Sequence, residues 1–478
     1  MKRISTLILC MLLLTACGNA ESAETETVSA EQETAETIET VKKEEPDIPA
    51  DLSFDGASFT FGVCYNVNAR NLIVMEELNG EALNDAQYNT IMDTEERLEA
   101  DISEFLIEDN YPAVDTIRSQ TASGDDTIQV ANLYCAAVPA LLSEGSLIDY
   151  SRIPHIDLTK SWWDQNVNRS LILGDMRYAA IGDLSITTHD LTYILLFSKA
   201  IVEQNQMESP YDLVNEGRWT LDAMQKMMET VILDANGDGA FTSEDHYGYL
   251  GSPKNVLPGF WIGSDIVTIG LNHEGIPEMS LKDERFVNLV DKVFGMMYDS
   301  NGRYDTKDNS DVTCENIQMF QENKGLFMDC TLFWVGALRE METDFGILPY
   351  PMYDEAQGEY CARVGYFMAP LVPISNQNLE VTGAVLEMAN YLASKSLTPA
   401  YYEITLKGKY SRHEESVVML DLIFDRRVVE LGDTIFCPDV RDGFLSAMFT
   451  NNKRELISNV EANEDKIQAQ IDKMIAAG

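Results

Sequence analysis

The chain has 478 residues and a formal net charge of −45, which argues against nucleic-acid binding, since phosphates demand a basic face, and disfavours a strongly anionic ligand. A hydrophobic content of 45% supplies enough material for a large core or two lobes. None of the eight cysteines falls in a CxxC pair or a zinc-like spacing, so metal and thioredoxin readings of them fall away.

The first seventeen residues, MKRISTLILCMLLLTAC, pass from two basic residues through a short apolar run to small residues, the layout of an export signal. Their end, Leu14-Thr15-Ala16-Cys17, resembles the bacterial lipobox. That resemblance implies that Cys17 becomes a lipid-modified first residue (diacylglycerol, palmitate), an anchor on the extracytoplasmic face of the cell membrane. An ordinary secreted protein with an incidental Cys17 is the competing reading. Residues 18–50 are mostly Glu, Thr, Ala and Ser; they cannot bury enough surface to offset ordering and read as a disordered acidic tether. No later apolar run approaches the roughly 20 residues of a spanning helix, so the remainder is expected to be soluble and held by lipid alone. Export permits disulfides, but a chain this long does not need them. Cys64, Cys135, Cys314, Cys330, Cys361 and Cys437 are expected to be buried thiols.

The folded part opens with an alternating strand, Ser58 to Tyr65, ending in Asn66. A helix is predicted from Asn84 to about Leu98, another around Ala113 to Gln120, a strand from Thr127 to Tyr134, and a helix from Val138 to Glu144 stopped by Gly145. Around 176–197 two extended stretches are joined by Thr187-Thr188-His189-Asp190, a passage between lobes. Thr220 then caps a helix from Leu221 to about Val231, with Trp219 as its staple. Gly325 to Cys330 reads as a strand running into a helix from Leu332 to Met341, Phe345 to Pro351 as a strand, and Val364 to Pro373 as a second extended passage. A long helix follows from Leu379 to Ala393, and an exposed-looking amphipathic helix closes the chain from Lys453 to Ala477. Strands alternating with helices imply a mostly parallel sheet covered on both faces, with ligands beyond the carboxyl ends of the strands.

Several landmarks in order resemble the extracellular solute-binding lipoproteins of bacterial carbohydrate ABC importers, the maltose-binding-protein-like family. They are the lipobox; Gly145-Ser146-Leu147-Ile148-Asp149; Ser161-Trp162-Trp163-Asp164; Tyr193 to Lys199; the runs GRWTLDAM, KGLFMDC and DFGILPYPMYDEAQGEY; and the loop below with its DHYG. Ser198 stands where that pattern expects asparagine. The resemblance covers Phe54 to the C terminus and implies an α/β, two-lobe periplasmic-binding-protein-like fold of type II. Its domains would be an N-lobe over 51–183 with a return segment near 370–410, and a C-lobe over 184–365 with C-terminal helices near 411–478. Hinge crossings are implied near Asp183 to Thr187 and Val364 to Pro370, with a third return before the C-terminal helices.

The stretch DANGDGAFTSED, 234–245, has the donor pattern of a calcium loop. Asp234, Asn236 and Asp238 stand at ligand positions 1, 3 and 5, Gly239 at the sharp turn, Ala240 at the carbonyl position, and Asp245 in place of the bidentate Glu. A helix enters and an extended Tyr247-Gly248-Tyr249-Leu250 leaves, so calcium is expected as a structural staple rather than a switch. For sugar capture, flat aromatics must meet pyranose faces, and polar side chains must meet hydroxyls. The candidates are Tyr65 and Asn66 ending the first strand, Tyr134 ending another, Phe260 and Trp261 in a Pro-Gly loop, Thr331 and Trp334 after the FMDC strand, and Asp183, Thr187 and Thr188 at the inferred hinge. Each aromatic has a core role, and each polar residue a strand-edge role, as its alternative. His189-Asp190 is a poor acid–base dyad, because neighbours in an extended segment point to opposite faces.

Two function classes follow. One is a non-enzymatic, monomeric receptor that binds a carbohydrate, most simply an oligosaccharide, and hands it to an ABC permease, with no catalytic cofactor and no nucleic acid. The other is an exported glycan-degrading enzyme, which would need two carboxyls at a defined separation. A receptor for peptide or another solute on the same fold stands behind both.

Overall fold

A computed structural model describes residues 44–66, 68–107, 110–306, 314–338, 341–403 and 414–477. Contacts divide the chain into Met1–Glu44 and the compact unit Glu45–Gly478. The export signal, Cys17 and the tether up to residue 43 lie outside the described residues. The tether's last residues do not stay apart from the fold as expected. Ile48 packs against the first-lobe core, and the Arg97 guanidinium donates to the carbonyls of Pro49 at 2.8 Å and Leu52 at 3.3 Å.

The first sheet is built on β1 (Ala57–Cys64), where Phe59, Phe61 and Val63 point into one core. Both β2 (Ala100–Ile107) and β3 (Val130–Tyr134) pair with it in parallel. A Cβ at Gly62 would meet the Ile128 side chain at 2.8 Å, so a larger residue at this strand position would have to displace Ile128. The helices α1 (Ala82–Leu98), α2 (Asn110–Ser123) and α3 (Val138–Ser143) flank the sheet. β2 was not foreseen: it follows α1 through Glu99 alone, in the left-handed conformation at φ 49°, with no Gly or Pro to mark the break. Its edge position leaves Phe105 and Leu106 exposed, which blurs the alternation of a strand.

The second sheet has the order β7 (Phe345–Leu348), β4 (Tyr193–Ser198), β6 (Gly325–Thr331), β5 (Tyr247–Leu250). β4 runs antiparallel to both neighbours, and β5 runs parallel to β6. Ser198 accepts the Ile201 amide at 3.2 Å and so caps the helix Lys199–Gln204. The helix α4 (Leu221–Val231) is capped by Thr220, while Trp219 lies in the core with its indole donating to the Pro349 carbonyl at 3.0 Å. After β5 the chain forms α5 (Pro253–Gly263), which contains the Pro258-Gly259 pair read as a loop. Pro253 suits the first helical turn, and Gly259 is forced by the Tyr350 ring, 2.4 Å from where its Cβ would stand. The segment after β6 is a 3₁₀ stretch, Leu332–Leu338, shorter than the predicted helix.

The chain crosses between the sheets at Leu191-Thr192, later than the expected 183–187. Asp183 and Leu184 still belong to the first lobe, their amides donating to the Trp162 carbonyl and to Asn390 of α6 (Leu379–Lys395). Thr192 bridges Val364 on the way back to β8 (Met368–Leu371), which pairs antiparallel with β3. A third crossing follows α7 (Glu414–Asp425), where Arg427-Val428 pairs with Ala362-Arg363. The last helix, α8 (Leu456–Ala477), departs from its expected place. It packs on α3 of the first lobe and is joined to the second by Lys282 and Glu464 at 2.5 Å. Its buried Val460, Ile467, Ile471 and Met474 stripe replaces the exposed helix of the sequence reading.

Candidate ligand-binding site

β1 delivers the chain at Tyr65-Asn66 to a long loop that leads into α1. The loop is held by side chains rather than by a ladder. The Asn71 amide donates to the Cys64 carbonyl, and Gln87 of α1 donates to the carbonyls of Leu72 and of Ile73, the latter at 3.3 Å. Glu104 on β2 accepts the amides of Ile73 at 2.6 Å and Val74 at 3.1 Å. Burial still pushes its carboxyl above the ordinary range against those two bonds.

The loop, the start of α1 and one side chain of the second lobe enclose a pocket of ≈ 440 Å³, within the range of small-molecule sites. Tyr65, Asn66, Arg70, Glu81, Asn84 and Phe333 line it. Tyr65 is 49% exposed, a large aromatic that folding leaves uncovered. Phe333 comes from the stretch after β6 and carries the second lobe into the site. Arg70 is held by Asp190 at the crossing. Behind the wall made by Arg70, Asn71 and Leu72 lies a smaller cavity of ≈ 40 Å³, also lined by Asn132 and Thr187.

The structure thus brings Tyr65 and Asn66 together with four residues that the sequence reading missed. Glu81 and Asn84 sit where a helix begins beyond a strand's carboxyl end, a place a topological argument points to. Arg70 had no sequence signal, and Phe333 differs from the named Trp334 only by its rotation on the 3₁₀ turn. Other named residues lie elsewhere. Phe260 and Trp261 are buried in α5, against Tyr350 and Phe286, so the expected loop position is corrected to core helix. Trp334 is half-buried against the second-lobe core and Thr331 is buried at the end of β6. Thr187-Asp190 is one helical turn, not an extended segment; Thr187 bonds Ser185 at 3.0 Å and Thr188 bonds the Ser185 carbonyl at 3.3 Å. His189 packs between the Tyr401 and Phe424 rings while Asp190 turns to Arg70. Burial pushes the Asp183 carboxyl up to about 7, offset in part by Thr398 and Arg427.

Tyr134 marks the hinge core instead. It stacks on Tyr366 at 5.6 Å, and the Arg441 guanidinium covers Tyr366 at 3.9 Å. Arg441 and Arg363 share Asp433, at 3.0 Å and 2.7 Å, with all three side chains sealed from solvent. Arg363 also faces the Tyr193 ring at 3.9 Å, so this cluster ties the three crossing segments to one another. Of the cysteines, Cys135, Cys330, Cys361 and Cys437 are buried free thiols and Cys64 is buried. The Cys314 side chain lies outside the described residues.

The 234–245 loop is turned in on its own backbone. Asp234 accepts the amides of Gly237 at 2.7 Å and Gly239 at 2.8 Å, and Asp245 those of Ala235 at 2.9 Å and Thr242 at 2.8 Å. Gly239 stands at φ 83°, as a sharp turn requires. Among the described residues no three His, Cys, Asp or Glu side chains are grouped to hold a metal. The oxygen-only donor set of Asp234, Asn236, Asp238, the Ala240 carbonyl and Asp245 nevertheless suits a hard cation, and Phe241 anchors the loop to the second-lobe core.

No family model and no curated protein matches the sequence. Solved structures do match in shape. A cyclo/maltodextrin-binding protein complexed with maltotetraose superposes with a TM-score of 0.60 at 10% identity, over 87% of this chain and 98% of that one. The fold is that of the maltose-binding-protein-like, two-lobe binding proteins. The cyclic α-maltosyl-1,6-maltose binding protein of Arthrobacter globiformis gives a TM-score of 0.59 at 13% identity over 87% and 99%. The galacto-N-biose/lacto-N-biose I-binding protein of the Bifidobacterium longum ABC transporter gives 0.60 at 10% over 88% and 98%. The pocket between Tyr65 and Phe333 therefore belongs to a two-lobe framework.

Proposed function

We propose that the chain is an extracytoplasmic solute-binding protein of an ABC importer that captures a carbohydrate, in particular an oligosaccharide, between its lobes and delivers it to a permease. The observation that carries this reading is the pocket with an aromatic from each lobe, Tyr65 and Phe333, and Asn66, Glu81 and Asn84 around it. Apolar ring faces can stack on a pyranose while the amides and carboxylate meet its hydroxyls. A glycosidase would need two carboxyls across the scissile bond. Among the described residues lining this pocket, Glu81 is the one carboxylate. Binding works by population shift: a sugar touching both walls stabilises the closed arrangement of the lobes. Cys17 supplies the lipid anchor, and calcium on Asp234, Asn236, Asp238, Ala240 and Asp245 supplies a structural staple at the end of α4. Among the described residues no helix is long and apolar enough to cross a membrane.

A thermal-shift screen of the protein against mono- and oligosaccharides, maltotetraose and lacto-N-biose included, tests the reading. Ligand at about 100 times its dissociation constant adds roughly 2.7 kcal/mol, a visible shift in Tm. Stabilisation by peptides and by no sugar would overturn the carbohydrate assignment.

A further inference from the structure

Arg70 differs from the other pocket residues because its bonds lead out of the pocket. Its backbone amide donates to Asp190 Oδ2 at 2.7 Å, its Nε to the same oxygen at 3.0 Å, and its Nη2 to Oδ1. The Asp190 side chain is wholly buried while that of Arg70 is 37% exposed. Asp190 ends the Thr187–Asp190 turn, one residue before the first crossing, and also accepts the Tyr401 hydroxyl at 3.1 Å. The Arg70 guanidinium lies 5.8 Å from the Phe333 ring centre and 5.4 Å from that of Tyr401. Phe333 follows Leu332, whose amide donates to the Thr192 carbonyl at 3.1 Å within the crossing. One side chain thus touches the pocket, the hinge carboxylate and the second lobe's aromatic.

We propose that Arg70 is a positioning residue that couples occupancy of the pocket to the first hinge crossing through Asp190. A ligand packed against Phe333 and the loop restricts the guanidinium, and the forked pair passes that restriction to the turn that carries the chain between lobes. The planar fork matters, because a lysine can satisfy the charge but not both carboxylate oxygens in one plane. The inference rests on the reading of this pocket as the ligand site. A ligand-independent arm keeps the two separable.

Hydrogen exchange on the full chain, read by mass spectrometry with and without saturating maltotetraose or lacto-N-biose, compares the wild type with Arg70→Met, Arg70→Lys and Asp190→Asn. Without sugar, Arg70→Met and Asp190→Asn should exchange the amides of 187–192 about tenfold faster, with the β1 amides unchanged and Arg70→Lys in between. With sugar, protection at 65–70 and at 187–192 should appear together in the wild type. In Asp190→Asn, whose side chain does not line the pocket, protection should remain at 65–70 and vanish at 187–192, a split that a merely structural residue would not produce. Unchanged exchange at 187–192 without sugar in Arg70→Met, or coupled protection retained in Asp190→Asn, would overturn the coupling of Arg70 to the crossing. Should no sugar protect the wild-type pocket, it is the carbohydrate reading that fails, and the ligand-free comparison still decides whether Arg70 holds the crossing.

Discussion

Of the arginine–aspartate pairs at the hinge, Arg363–Asp433 and Arg70–Asp190 are built for different ends. Arg363 and Asp433 are both fully buried, the carboxylate is shared with Arg441, and Arg363 spends a further donor on Asn255 at 3.0 Å. Burial alone would raise the Asp433 carboxyl; the two guanidiniums outweigh it and hold it below the ordinary range. Arg70 and Asp190 have the same forked chemistry, but the arginine opens onto the pocket. The sealed cluster has no surface a ligand can alter, so it serves as a fixed pivot. The open pair can be perturbed from one side only, which suits a contact that reports on the site.

Breaking the sealed cluster should cost most. Asp433→Asn leaves two buried guanidiniums without their shared charge, an expected loss of about 3–5 kcal/mol that denaturant unfolding would register. The 234–245 loop, the proposed calcium site, packs through Phe241 on the second-lobe core and sharpens the contrast. Calcium at about 100 times its dissociation constant should add roughly 2.7 kcal/mol, removable by chelator and absent in Asp234→Ala, with sugar affinity unmoved in isothermal titration. Two carboxyls of the first lobe give a pH signature. Asp183 and Glu387 are both pushed up to about 7, chiefly by burial, so their protonated forms favour the fold. That stability is present below about pH 4 and is lost as pH rises through 7. Asp183→Asn should therefore flatten the fall in stability between pH 6 and 8 by about 1.4 kcal/mol, measured as the difference from wild type in thermal melts. On the open side, Phe333→Ala should weaken sugar binding about fivefold and change the melting temperature little, because the ring is only half-buried.

The difference between the two regions also marks how far the sequence could be read. The alternation in β1, the Thr220 cap and the hydrophobic face of α4 are local signals, and each element lies where its residues put it. So does Tyr65, since an aromatic at a strand's carboxyl end has little to bury it. Phe260 and Trp261 failed because Pro258-Gly259 reads as loop punctuation. Within their helix Gly259 lies against the Tyr350 ring, a long-range contact that no local signal shows. The Arg70–Asp190 pair spans residues 120 apart in sequence, and Arg363–Asp433 spans 70. No spacing rule links such positions, and only the path of the chain through the hinge brings them together. Ser198, where the sequence resemblance expects asparagine, serves as a helix cap.

The most direct test is titration calorimetry of the wild type and the Tyr65→Ala/Phe333→Ala double variant with the sugar that stabilises the protein best in the screen. The pocket account predicts saturable binding by the wild type and a loss of at least about tenfold in the double variant, whose melting temperature stays near that of the wild type. Equal affinity in the two proteins would place the sugar elsewhere and contradict the account.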